Sequence, residues 1–190
     1  LTKIRVKKLK KGMNVGDQLP MKESFGNIGK YVEKKLAQTY QHNNGKGVDL
    51  PIENIEVKTR KEEGKSYQSI ATMTVDEIIS TPYENSVIHD KFQRQYRVKY
   101  KDETSIVTEE RIYDFSDPFI QGKIKEAYEA GREKITDGNR ADWIYGTSYG
   151  CFEETKKNSN SYTFRVSSGA MKKIEEMSKD NFNKFFDFDN

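Results

Sequence analysis

Two carboxylates and a lysine stand close together in the stretch "GVDLPIENIEVKTRK": Asp49, then six residues, then Glu56, Val57 and Lys58. Ile55 and Val57 alternate with Glu56 and Lys58, a period of two that predicts a strand with both charged side chains on one face. Pro51 stiffens the path between Asp49 and that strand. The chemistry that needs such a set is phosphodiester hydrolysis. Asp49 and Glu56 supply hard oxygen donors for Mg²⁺, with the Val57 carbonyl as a further ligand. Lys58 cannot bind a metal, so its role falls on the attacking water or on the charge gathering at phosphorus. The same letters also fit a half-exposed strand with its charges in water. Glu-x-Lys by itself carries nothing, since it recurs at Glu33–Lys35, Glu63–Lys65 and Glu154–Lys156.

The rest of the chain bounds the choice. Its 190 residues suit one domain, residues 1–190, with a basic segment over 1–25, a core over 26–175 and a helix end over 176–190. Hydrophobic residues make up 34% and charged residues 33%, a balance that leans towards weak folding, but 12% are aromatic and run from Phe25 to Phe188. Disordered chains are poor in aromatics, so a small core under a very polar shell is expected. A net charge of +3 says little about nucleic acid by itself; a basic face has to come from local clusters. "KIRVKKLKK", "KTRK" with Arg60 and Lys61, and the pair Lys156–Lys157 are such clusters, each read more readily, taken singly, as solvated surface than as a phosphate contact.

One cysteine, Cys151, rules out an internal disulfide and fits a reducing, cytoplasmic compartment. With His42 and His89 as the only histidines, neither Cys–His catalysis nor a zinc site of N/S type is favoured. No apolar run approaches the length of a membrane span, and the basic start lacks the apolar stretch of a signal peptide. The chain starts at Leu1 rather than Met, so a fragment with a partner domain missing is an open expectation, as is a homodimer.

Residues 26–40 carry apolar side chains at helical spacing, and "HNNGKG" ends that run. Strands are expected over 54–59, 67–74, 95–100, 104–115, 142–149 and 161–166. Helices are expected over 117–135, with Pro118 in the first turn, and over 167–186, with Ser at the N-cap. That order predicts a mixed α/β (α+β) fold, a central mixed sheet flanked by helices. The stretch "YGCFEETKKNSNSYT" is expected to be a loop facing DNA, with Lys156 and Lys157 as contacts.

Four stretches in register resemble the MutH family of PD-(D/E)xK endonucleases, which holds the methyl-directed mismatch-repair nickase and related restriction enzymes. "GNIGKYVEKKL" is similar to the family's first helix and its glutamate, here Glu33. "VDLPIENIEVKT" is similar to its Asp, six residues, Glu-x-Lys-Thr. "PYENSVIHDKFQRQYRVKY" resembles its Glu-x-Ser, a lysine five residues on and a hydrophobic strand, with Lys91 as the lysine. "SYTFRVSSGAMKKI" looks like its closing strand and helix. The resemblance implies a restriction-endonuclease-like fold, Mg²⁺, double-stranded DNA as substrate, a supporting role for Glu33 and a second active-site lysine in Lys91. Where the family often carries aromatic-x-Lys in its closing strand, this chain has Thr163, Phe164 and Arg165. That departure favours a type II restriction enzyme over a strand-nicking repair enzyme, and leaves Arg165 to meet phosphate or a guanine edge. A DNA-binding domain that no longer cuts is the rival reading. The intact carboxylate pair speaks against it.

Overall fold

The computed structural model describes residues 13–20, 27–37, 47–49, 54–62, 68–156 and 160–178. These form a mixed α/β arrangement with two sheets, and they cluster into two compact units. The first unit takes the described residues up to 62 together with 93–114 and Ser178; the second takes 68–92 and 115–177. The chain therefore leaves the first unit after its first strand, builds part of the second, returns, and leaves again.

In the first unit, helix α1 spans Asn27–Ala37 and strand β1 spans Glu56–Lys61. Strands β3 (Arg94–Tyr100) and β4 (Val107–Asp114) complete a three-stranded sheet in the order β1-β3-β4. β1 runs parallel to β3. A parallel neighbour needs a long crossover rather than a tight turn, and the first passage through the second unit supplies it. β3 and β4 are antiparallel. Ile28, Val32 and Leu36 of α1 bury against Val57, Tyr96, Val98 and Ile112 of the sheet. Residues 13–20 strap the edge of β4: the N–H groups of Gly16 and Leu19 donate to the carbonyls of Val107 and Ser105 at 2.8 and 2.9 Å. Lys35 of α1 ties down that strap through Asp17 at 3.0 Å. The Tyr96 hydroxyl, fully buried, accepts from Met13 N–H at 2.6 Å and donates to Glu110 at 2.6 Å.

In the second unit, strands β2 (Gln68–Thr74), β5 (Trp143–Tyr145), β6 (Gly150–Glu154) and β7 (Ser161–Val166) form an antiparallel sheet in the order β2-β7-β6-β5. Helix α2 (Val75–Ser80) starts with a capping box in which Thr74 and Glu77 satisfy one another's backbone N–H. A short 3-10 turn, Tyr83–Asn85, leads through the N-cap Ser86 into α3 (Val87–Lys91). Asp117 caps α4 (Pro118–Thr136), accepting from Phe119 and Ile120 N–H with Pro118 in the first turn. Ser167 accepts from Ala170 N–H at the start of α5 (Ser168–Ser178). α4 buries Ile124, Ala127, Tyr128 and Ile135, and the Tyr128, Phe152 and Phe164 rings interlock. Gly131 is required here: a Cβ would meet the Phe152 ring at 2.7 Å.

Three expectations change. The strand expected over 142–149 is only Trp143–Tyr145, and the expected DNA-facing loop holds strand β6 and the first residues of β7. Cys151, Phe152 and the cross-strand Phe164 bury there, so the apolar run "CF" is core. The strands also divide between two sheets, where one central sheet was expected. The end of the last helix beyond 178, residues 1–12 and 21–25 of the N-terminal basic segment, Pro51 and Lys157 lie outside the described residues.

Candidate functional site

Among the described residues, β1 pairs with β3 along one side. Asn54 precedes it with φ +54, a left-handed turn that asparagine tolerates. Asp49 stands along the other side. Its Oδ2 accepts from the Val57 N–H at 2.8 Å. Within a strand, the N–H and C=O of one residue point to the same side, so the Val57 carbonyl shares that side with the Asp49 carboxylate. The next side chain back is Glu56, only 2% exposed, and Lys58 Nζ donates to its Oε1 at 2.5 Å. Lys58 keeps 25% of its side chain exposed. The pair therefore joins a sealed carboxylate to a cation that still reaches solvent. Asp49, Glu56, Val57 and Lys58 are thus brought together, and a backbone hydrogen bond holds the upstream acid in place.

The polar face of this sheet is broader than β1. Register places Gln95 beside Glu56 and Arg97 beside Lys58 on β3, then Tyr113 beside Gln95 and Arg111 beside Arg97 on β4. Directly paired residues share a face. The face therefore holds the cations Lys58, Arg60, Arg97, Lys99 and Arg111 against the carboxylates Glu56 and Glu109. Arg97, 6% exposed, donates from Nε and Nη2 to Gln95 Oε1 at 3.1 and 2.9 Å and lies 5.2 Å from the centre of the Tyr113 ring. Glu109 accepts from Lys99 at 3.2 Å and lies 3.4 Å from Arg111. Gln95, Arg97 and Arg111 were not singled out from the sequence. The signal was there on β3, because "QYRVKY" alternates polar and apolar residues; "EERIYD" on β4 lacks that alternation, so Arg111 had none.

The other expected site residues fall elsewhere. Glu33 lies on α1, with its Oε1 and the Thr59 hydroxyl both within 4 Å of the space a Gly29 methyl would occupy. By strand alternation, Thr59 faces the α1 side of the sheet and Glu56 and Lys58 the other. Lys61 also faces away from Lys58 and pairs with Asp102 at 2.7 Å, whereas Arg60 shares the Lys58 face. Lys91 ends α3 in the second unit. Lys156 is exposed just beyond β6 in that unit, and Arg165 of β7 is ion-paired to Glu153 on the neighbouring strand β6. Cys151 is fully buried, and burial pushes its thiol up to about 11 against the opposing Arg165 charge. A thiol so placed is a core side chain, not a nucleophile.

Asp49, Glu56 and the Val57 carbonyl form a set of hard oxygen donors, which fits Mg²⁺, an ion commonly held by one or two carboxylates with several waters retained. Among the described residues, no three His, Cys, Asp or Glu side chains gather into a larger metal cluster. Nor, among them, is any helix long and apolar enough to cross a membrane. The chain matches no protein-family model and no curated protein sequence.

Proposed function

We propose that this chain is a Mg²⁺-dependent, sequence-specific DNA endonuclease of the type II restriction class, acting on double-stranded DNA in the cytoplasm. One observation carries the reading: Asp49, fastened to the Val57 N–H, stands beside the Glu56–Lys58 pair along β1. Asp49, Glu56 and the Val57 carbonyl would hold the ion. When bound, Mg²⁺ supplies charge stabilisation at the scissile phosphate and eases deprotonation of the attacking water. Lys58, part exposed, orients that water and offsets negative charge as the bond to phosphorus forms. Its pairing with Glu56 fixes the ammonium in place before substrate arrives, which is how positioning contributes to rate. Arg60, which shares the Lys58 face, meets the DNA backbone in this reading, and the roles the resemblance implies for Glu33 and Lys91, with DNA contacts by Lys156 and Arg165, belong to the same proposal. The restriction-endonuclease-like fold and kinship with the MutH family belong to the same proposal.

The test is digestion of a long unmethylated DNA with Mg²⁺, beside a no-metal control and Asp49→Ala. Discrete fragments that vanish in both controls support the reading, and their mapped ends give the recognition sequence. Intact DNA that still shifts in a gel makes the chain a binding domain instead.

A further inference from the structure

The strap of residues 13–20 is seated on the start of β4 by charged groups as well as by backbone. Besides the bonds from Gly16 and Leu19, the Val107 N–H donates to the Asp17 carbonyl at 2.9 Å. Met13 and Leu19, buried, carry the strap into the apolar cluster of α1 and the sheet. Two carboxylates meet one lysine at this place. Lys35 of α1 donates to the strap's Asp17 at 3.0 Å, and its charge also acts on Glu110 of β4. Tyr96 joins strap and sheet, its hydroxyl accepting from the Met13 N–H and donating to Glu110. Among the described residues, the groups facing Glu110 are Tyr96 on β3, Asp17 on the strap and Lys35 on α1. The Asn14 N–H, with Lys35 adding to it against the cost of burial, holds Asp17 below the usual carboxylate range. Burial above all, with the Asp17 charge adding, pushes Glu110 up against Tyr96 and Lys35. Of the two acids, Asp17 therefore stays ionised and Glu110 is the one that takes a proton.

We propose that residues 13–20 are a pH-dependent latch, closed while Glu110 is protonated and loosened when ionised Glu110 competes with Asp17 for Lys35. Opening carries Asp17 away and leaves Tyr96 and Lys35 with Glu110. The open form thus loses a group that disfavours the Glu110 charge and keeps two that favour it. It binds the Glu110 proton less tightly than the closed form does. By linkage, the closed form is favoured at low pH and loses ground as pH rises through the raised value of Glu110. Opening also draws Met13 and Leu19 out of their cluster, so a loosened latch uncovers apolar surface beside α1. The latch stands whether or not the chain cuts DNA.

The experiment follows amide hydrogen exchange by NMR in the full chain, in Glu110→Gln and in Asp17→Asn. Rates are corrected for intrinsic exchange and taken from about pH 5 to 8, with and without low urea. In the parent chain, protection of the Gly16 and Leu19 amides is expected to fall about threefold or more across that range. Low urea should barely change it, because a local opening exposes little surface. Glu110→Gln is expected to keep the closed-form protection at every pH, and Asp17→Asn to shrink the fall. Protection that does not change with pH in the parent chain overturns the latch. An equal fall in Glu110→Gln also overturns it, since another group is then titrating. Strap amides that match those of β3 in protection and urea response at every pH overturn it too, because the strap then opens only with the whole unit. Should Glu110→Gln fail to fold, Asp17→Asn decides, and an undiminished fall there sinks the proposal.

Discussion

Replacing Lys58 by methionine removes the cation that neutralises Glu56 and leaves a carboxylate only 2% exposed facing an apolar neighbour. Two unit charges about 4 Å apart attract by about 4 kcal/mol at an effective dielectric near 20. Lys58 is one-quarter exposed, so water screens part of this, and a coupling of about 2 kcal/mol is the working figure. The single variant also strips a buried carboxylate of its lysine, which costs about 3–5 kcal/mol for fully buried pairs and about 3 kcal/mol for one that is open on its lysine side. Glu56→Gln is milder, about 1 kcal/mol, because Lys58 can turn its ammonium to solvent. The double variant Lys58→Met/Glu56→Gln is then expected to cost about 2 kcal/mol, less than the two singles together. Urea unfolding of the four proteins yields the coupling, and cleavage of DNA by the same four is expected to be lost in all three variants. A coupling near zero refutes the reasoning. It would mean that Glu56 is stabilised by other partners and that Lys58 is a solvated strand residue.

Asp49→Ala is expected to lose cleavage and about 1–2 kcal/mol of stability, since the Val57 N–H loses its acceptor, while Asp49→Asn keeps an acceptor oxygen and loses cleavage alone. Equal melting temperatures for the two would show that the hydrogen bond contributes nothing. Gly146→Ala is expected to cost more than about 3 kcal/mol, because a Cβ would stand 1.8 Å from the Ala127 carbonyl oxygen, and circular-dichroism melts read this directly. Burial raises the Glu110 carboxyl above its ordinary value, with the Tyr96 hydroxyl opposing. The folded state then holds that proton more tightly than the unfolded chain does. Stability from this group is fully present below the ordinary carboxylate value and declines as pH rises through the raised one. Glu110→Gln keeps an acceptor for Tyr96 and should flatten that decline in urea midpoints taken across the weakly acidic range. An unchanged slope would assign the pH dependence to another group. Cys151, with its thiol pushed up to about 11, should resist alkylation in the folded protein at neutral pH and react on unfolding.

Local pattern was enough for the elements that announce themselves. The alternation of Ile55 and Val57 with Glu56 and Lys58 fixes a strand and puts both charges on one face, and the helical spacing of Ile28, Val32 and Leu36 marks α1. Pro118 behind Asp117 and the Ser before α5 mark two helix starts. The pair Glu56–Lys58 follows from strand geometry alone, since residues two apart share a face. Asp49 is different. Its spacing is visible, but that it reaches the Val57 N–H depends on which side of β1 pairs with β3, which is a property of the sheet. Strand order and register arise from which apolar faces bury together, so no local window holds them. They alone decide that Arg97 and Arg111 stand in line with Lys58, that Lys61 turns to Asp102, and that Glu33 meets the face of Thr59. The same holds for β6, whose "CF" lacks a strand's length of pattern and becomes one because Phe152 packs against Phe164 and Tyr128. Chemistry-bearing residue types are written along the chain. Their neighbours across the sheet are set by the tertiary burial of the faces behind them.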